Sequence, residues 1–359
     1  MSHIQTYLIN GSFDQTISPF DRGFAYGDGV FRTLVMRDGL PVSWPQHYQK
    51  LVADCAAINI VCPSAELLMS DLQQLFLPDG LPEDPLAVAK IIVTRGEGNR
   101  GYTPPAITAP MRVVTKSPMP QYADERFVKG VHLHVCEIRL ALQPKLAGVK
   151  HLNRLENVLA RMEWNNPAIT DGLMLDSVDN VIECTAANIF ARFGDTLMTP
   201  SLHQCGVAGI TRQHIIDIAH TIPLKIAIET FDLKKLFAAD EVIICNSLYG
   251  AWQVKTIQEK SWPKGKLAAN IFARFGDTLM TPSLHQCGVA GITRQHIIDI
   301  AHTIPLKITI ETFDLKKLFA ADEVIICNSL YGAWQVKTIQ EKTWPKGKLA
   351  ANIREALKA

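Results

Sequence analysis

The residues of this chain that invite chemistry sit beside turns. Lys150 follows the small, apolar run Ala147, Gly148, Val149 and precedes a segment that sets Leu152, Leu155, Leu159 and Met162 on one helical face. A lysine is usually a solvated surface charge, but one held among apolar groups has a depressed pKa and can act as a Schiff-base nucleophile and proton shuttle. Farther on, CGVAGITRQ spans Cys205–Gln213 and recurs letter for letter at Cys287–Gln295. A turn of small residues running into Thr and an amphipathic segment is the pattern of a helix N-terminus that holds a phosphate, with free N–H groups and the helix dipole facing the anion. Ordinary Thr-assisted helix initiation uses the same letters. The chain therefore carries two anion sites, or one site and a spare part.

The composition is that of an ordinary globular protein, with 359 residues and 47% hydrophobic content, enough for two or three domains with sizeable cores. Lys+Arg 36 against Asp+Glu 35 gives a net charge of +1, which offers no electrostatic reason to expect nucleic acid or an anionic membrane as partner. The start MSHIQTYLIN lacks the basic and apolar regions of a signal peptide, and no run approaches a membrane span, so the chain reads as cytoplasmic. The cysteines (Cys55, Cys62, Cys136, Cys184, Cys205, Cys245, Cys287 and Cys327) form no CxxC pair and have no His-rich companion. They read as idle thiols of a reducing compartment rather than a disulfide framework or zinc site. No metal is expected.

The repeat extends far beyond the anion motif. Ala186–Leu267 and Ala268–Leu349 match throughout except at Ala227 against Thr309 and Ser261 against Thr343. Natural repeat architectures diverge more and use shorter units. A shared Ala-Ala-Asn triplet marks the seam, so this 82-residue repeat reads as a tandem duplication within one ordinary chain.

The elements that must position these residues follow from periodicity. IQTYLING alternates as a strand, and the Asp-Gly of MRDGLPVSW turns a hairpin. Helical spacing appears over 47–60 and 65–76, and AVAKIIVTRG reads as a buried strand ending in a Gly-rich turn. A Pro-bearing connector over 117–125 separates an N-terminal domain, 1–116, from a second domain, 126–267, with 268–359 as the duplicate and its tail. The second domain opens with a strand near 131–137, continues with a helix over about 153–164 and reaches a strand pair over 172–193 turned at Val178–Asn180. The result is an α+β fold.

KHLNRLENVLAR, IECTAANIF and GVAGITRQ, together with DRGFAYGDGVFRT and TRGEGNRGY near the start, occur in the order found in the fold-type IV enzymes that use pyridoxal 5'-phosphate. The chain resembles that family, and within it the 4-amino-4-deoxychorismate lyases, over essentially all of the single-copy sequence. The resemblance implies an N-terminal two-layer α/β sandwich and a C-terminal pseudo-barrel that assemble as a homodimer, which the repeat can make segment-swapped. It implies that Lys150 carries the cofactor and that Glu183 faces the pyridine nitrogen and keeps it protonated. Ile210 and Thr211 would form the phosphate cup, with Asn246 and Ser247 closing its other side. Lys50 stands where related sequences usually place a phosphate-gripping arginine; it keeps the charge but loses the bidentate fork. Arg32 stands where an acidic or polar residue is commoner; it meets a substrate carboxylate or lies on an edge strand. Arg95, Arg100 and Tyr102 are the candidates for the carboxylates of a dianionic substrate, because a Gly-rich turn would let them converge on a cleft. The implied reaction releases pyruvate and 4-aminobenzoate, with D-amino-acid or branched-chain amine transfer, or an impaired duplicated chain, as alternatives. Lys150 and Glu183 occur once, so one complete site and one spare cup are expected.

Overall fold

The computed structural model describes residues 6–82, 84–122, 126, 129–219, 225–263, 270–281, 292–301, 306–311, 313–328, 332–339 and 341–356. The seam at 264–269, part of the connector, and the loop before the second Ile-Thr-Arg with Cys287 lie outside them.

The first sheet is antiparallel, in the order Tyr7–Ile9, Met111–Pro118, Leu86–Thr94, Gly29–Arg37, Leu40–Pro41. The Asp-Gly hairpin forms as the sequence requires: Asp38 and Gly39 both take positive φ, 48° and 78°, the geometry of a two-residue turn matched to strand twist. Helices Trp44–Ala57 and Ala65–Phe76 cover one face, and the second begins where the Ser64 hydroxyl accepts the Leu67 N–H. Leu51, Cys55, Leu68 and Leu72 pack there against Leu34, Ala89, Ile91 and Val114, all at most 1% exposed.

The second sheet runs Lys225–Glu229, Thr196–Pro200, Asn188–Phe193, Glu241–Asn246, Gly250–Ile257, Val131–Leu140, Ile169–Asp176, Val181–Cys184, with Lys260–Ser261 off its path. Parallel pairing of Val254 with Val131 joins the residues of the first repeat copy to the half that precedes it. The core between the two halves includes Leu133, Leu173, Ile189, Ile244, Trp252 and Val254. The turn at Val178–Asn180 is held by Asp176, whose Oδ1 accepts the N–H groups of both residues.

Two local expectations are corrected. The segment ECTAANIF is not one unbroken strand: one strand ends at Cys184 and the next begins at Asn188, because the Cys184 N–H closes a tight turn on the Ala187 carbonyl at 2.7 Å. The helix after Lys150 spans only Leu155–Arg161, and its apolar side faces outward, with Leu155 68%, Leu159 44% and Met162 70% exposed. Helical periodicity identified the stripe but not what covers it.

The second copy builds a separate five-stranded sheet: Lys307–Ile310, Thr278–Thr281, Asn270–Phe275, Glu323–Asn328, Gly332–Gln335. The C-terminal helix Leu349–Ala356 seats Leu349, Ala350 and Ile353 on it. Among the described residues, no helix is long and apolar enough to cross a membrane.

Candidate active site

Lys150 is placed by a short extended segment that joins the N-terminal sheet to the loop before the helix Ile210–Ala219. Its carbonyl accepts the Phe31 N–H at 2.9 Å, and the Leu152 N–H reaches the Gly29 carbonyl at 2.9 Å, stitching the segment to the N-terminal sheet. On the other side, the Gly148 N–H donates to the Gly206 carbonyl at 2.8 Å, and the Ala208 N–H returns to the Gly148 carbonyl at 3.1 Å. The chain that carries Lys150 is thereby bonded to the loop that leads into the helix Ile210–Ala219. Arg154 locks the same segment, donating to the carbonyls of Val149 at 2.8 Å and His151 at 3.0 Å.

A cavity of about 340 Å³ opens at this junction. It is lined by Phe31, Arg32 and His47 from the first domain, Lys150, Arg154 and Asn157, the turn Glu183–Asn188, the loop from Val207 to Thr211, and the turn Cys245–Leu248. Burial, together with the nearby charges of Arg154 and Arg32, pulls the Lys150 amine down to about 8, and its Nζ lies 4.5 Å from the centre of the Phe31 ring. Burial pushes the Glu183 carboxyl up to about 7 against the opposing pull of Arg154, while its Oε2 accepts the Val207 N–H at 2.8 Å.

The helix Ile210–Ala219 opens with the Gln213 N–H on the Gly209 carbonyl at 3.1 Å. The N–H groups of Ile210, Thr211 and Arg212 therefore precede the first intrahelical bond, and Ile210 and Thr211 line the cavity. Asn188, from the first copy, shapes this loop by accepting the Gly209 N–H at 3.1 Å and donating to the Val207 carbonyl at 2.8 Å. A side chain at position 209 would collide with Asn188 Oδ1 and displace the amide that shapes the loop. Opposite, Asn246 accepts the N–H groups of Leu248 and Tyr249 and donates to the Ala186 carbonyl at 3.0 Å, so its side chain builds the turn that presents Ser247.

Lys150, Glu183, Ile210, Thr211, Asn246, Ser247 and Arg32 thus meet at one cavity, and four other candidates do not. Lys50 is absent from the lining because its amine is drawn to Asp54 and to the Gly148 carbonyl, the latter at 2.9 Å. Arg95 forks onto Asp28 and the carbonyls of Ile58 and Asn59. Arg100 is exposed, and Tyr102 is 85% exposed, its ring 5.5 Å from that of Tyr26. The Gly-rich turn frees the backbone, but Asp28 is the nearer anion and claims Arg95. Sequence reasoning missed His47, Asp54, Arg154, Asn157 and Asn188. Of these, Arg154 lies in the HLNR motif and Asn188 in ECTAANIF, so their motifs were visible while their roles were not.

This fold and this arrangement define a cofactor-binding cleft between two α/β units, and residues 29–257 and 267–339 match the profile of the class IV aminotransferases. The chain belongs to that family. It is 34% identical over 270 residues to the aminodeoxychorismate lyase of Vibrio harveyi, spanning 74% of this chain and 97% of the relative. It is 29% identical over 292 residues to a D-alanine aminotransferase of Listeria monocytogenes, spanning 78% and 92%. Among solved structures, the 4-amino-4-deoxychorismate lyase of Pseudomonas aeruginosa superposes with a TM-score of 0.68 at 42% identity, covering 72% of this chain and 94% of that one.

Pyridoxal 5'-phosphate is the cofactor of this family, and the cavity fits it. A buried amine near its neutral range, a buried carboxyl and a helix N-terminus converge there. Three buried polar atoms of lining residues, Arg32 Nε, His47 Nδ1 and Asn157 Oδ1, have no protein partner. Natural interiors rarely leave such atoms unpaired unless a ligand or water completes them.

Proposed function

We propose that the protein is a lyase that converts 4-amino-4-deoxychorismate to 4-aminobenzoate and pyruvate. The observation that carries the reading is the convergence, in one cavity, of the depressed amine of Lys150 with Glu183 and the first copy's helix N-terminus. The lyase relatives at 34% and 42% identity favour this activity over amine transfer.

Lys150 would hold the cofactor, with Glu183 at its ring nitrogen and Ile210, Thr211 and Ser247 around its phosphate. The bound cofactor supplies an electron sink for the pair released when a C–H bond next to the substrate amine breaks. The chain's own residues do the rest. With a pKa of about 8, Lys150 accepts a proton at neutral pH and can return it to the leaving enolpyruvyl carbon. Glu183, held by the Val207 N–H and facing the Arg154 charge, fixes the protonation of its partner. Arg32 Nε is a donor that can meet a substrate carboxylate from the N-terminal side, and the neutral His47 ring beside it offers one donor and one acceptor nitrogen. Aromatisation of the ring drives the elimination forward.

The same reading includes a homodimer. Phe20 68%, Phe24 73%, Tyr102 85%, Leu155 68% and Met162 70% exposed form apolar surface on elements that meet where the backbone at Gly27 approaches the Asn153 side chain. The repeat adds segment exchange between molecules, since either copy can make the same contacts. The deciding assay supplies purified protein with aminodeoxychorismate, and in parallel with D-alanine or a branched-chain amino acid plus 2-oxoglutarate. Pyruvate and 4-aminobenzoate in the first reaction support the lyase; turnover only in the second replaces it with a transaminase.

A further inference from the structure

We propose that Asp54, held by Arg32 and Lys50, is a positioning residue for Lys150. This rests on Lys150 being the cofactor-bearing lysine.

Asp54 lies on the inner side of helix Trp44–Ala57, 1% exposed, where an unpaired carboxylate would be costly. It is paired twice: Arg32, from the adjoining strand Gly29–Arg37, and Lys50, one helical turn earlier, each donate to one of its oxygens. Its Oδ2 also lies 3.4 Å from the backbone N of Lys150. Lys50 makes a second contact in the same direction, donating to the Gly148 carbonyl at 2.9 Å. Carboxylate and ammonium therefore grip the backbone of the Lys150 segment at two points, two residues apart. That segment is otherwise held by main-chain bonds on both sides and by Arg154 on the Val149 and His151 carbonyls, and the cluster adds the grip just before and at the lysine itself.

The cluster also sets the charge that Lys150 experiences. Arg32 is one of the cations that depress the lysine, and it does so while neutralised by Asp54. Arg154 depresses the amine as well, Glu183 opposes that effect, and Lys90 adds to it. Asp54 thus holds a buried arginine beside a buried lysine without the full repulsion of two adjacent cations. Removing the carboxylate leaves Arg32 unopposed, which disfavours the protonated form of the lysine further.

The test is a pH titration of the visible band of the lysine-bound cofactor in the holoprotein, for the parent, Asp54→Asn, Asp54→Glu and Arg32→Gln. Asp54→Asn is expected to move the midpoint down by about one pH unit and to lower kcat at unchanged KM. Arg32→Gln, which removes the cation and keeps the anion, is expected to move it up. Asp54→Glu should restore part of the parent midpoint. If Asp54→Asn does not fold, Asp54→Glu is read instead: a midpoint below the parent's supports the proposal and one equal to the parent's overturns it. Midpoints that stay fixed with the band intact overturn the proposal. A parent protein with no such band overturns the cofactor assignment to Lys150 together with this proposal.

Discussion

The two copies of the repeat have nearly the same sequence and the same strand register, yet they do different things. In both, the outer pair closes alike, with Phe193 opposite Thr196 in the first and Phe275 opposite Thr278 in the second. The central pairs also match, Asn188 with Cys245 and Asn270 with Cys327. The copies part company where neighbours differ. Strand Gly250–Ile257 of the first copy runs on because Val131–Leu140 pairs with it, whereas its counterpart stops at Gln335. Trp252 is 2% exposed and stacked on Tyr249 at 3.6 Å, but Trp334 is 55% exposed; Ile244 is fully buried, and Ile326 is 43% exposed. The C-terminal helix makes the opposite contribution, covering the second copy, with Ala333 fully buried and the Leu349 N–H on Glu323 Oε1 at 3.0 Å. Local sequence therefore specifies a five-stranded unit, and, within the described residues, only in the first copy do residues from the preceding chain, among them Arg32, Lys150 and Glu183, close a cavity against it.

The largest effect that can break the comparison lies at the residue the second copy lacks. Lys150→Ala should abolish both the visible absorption of the bound cofactor and turnover, because no other lysine among the described residues lines the cavity. An absorbing, active variant would mean that the cup is served by a different amine. Next, Trp252→Ala should destabilise the domain by about 3–5 kcal/mol, the cost of emptying a buried aromatic site, while Trp334→Ala should change thermal unfolding far less, as expected for a half-exposed side chain. Equal losses on melting would show the second face to be covered in solution. Smaller still is the effect at the cup. Thr211→Val should weaken cofactor binding about tenfold to a hundredfold, the worth of a hydroxyl bond to a charged group, and Thr293→Val should leave it unchanged. Equilibrium titration with pyridoxal 5'-phosphate reads both.

How much of this was legible in the sequence depends on whether the signal was local. The Asp38-Gly39 turn and the helix Ala65–Phe76 follow from residues within a few positions, and they formed as the pattern required. Lys150, Glu183 and the Ile210-Thr211 turn were legible as motifs, and the fold brings them to one cavity. What was not legible were competitions decided across the fold. Lys50 and Asp54 are spaced for a pair on one helix, but nothing local announces that Arg32, on the preceding strand, joins them and leaves Lys50 with no place at the cavity. Arg95 was in the right kind of turn, yet Asp28 was closer. The stripe Leu155, Leu159, Met162 was periodic, but periodicity does not say whether a core or another surface faces it.

Threading the second copy through the site would loop out the intervening residues, at a closure cost on the order of 4 kcal/mol. Glu183 and Asn188 flank one short turn, and Asn188, Gly209 and Thr211 of the first copy all reach the cavity. The most direct measurement of this account deletes Ala268–Leu349, which rejoins Leu267 to the terminal helix, and follows cofactor affinity and aminodeoxychorismate turnover in the shortened protein. The account predicts unchanged cofactor affinity, turnover within about twofold of the parent and a more uniform oligomer; loss of cofactor binding in a folded, shortened protein would contradict it.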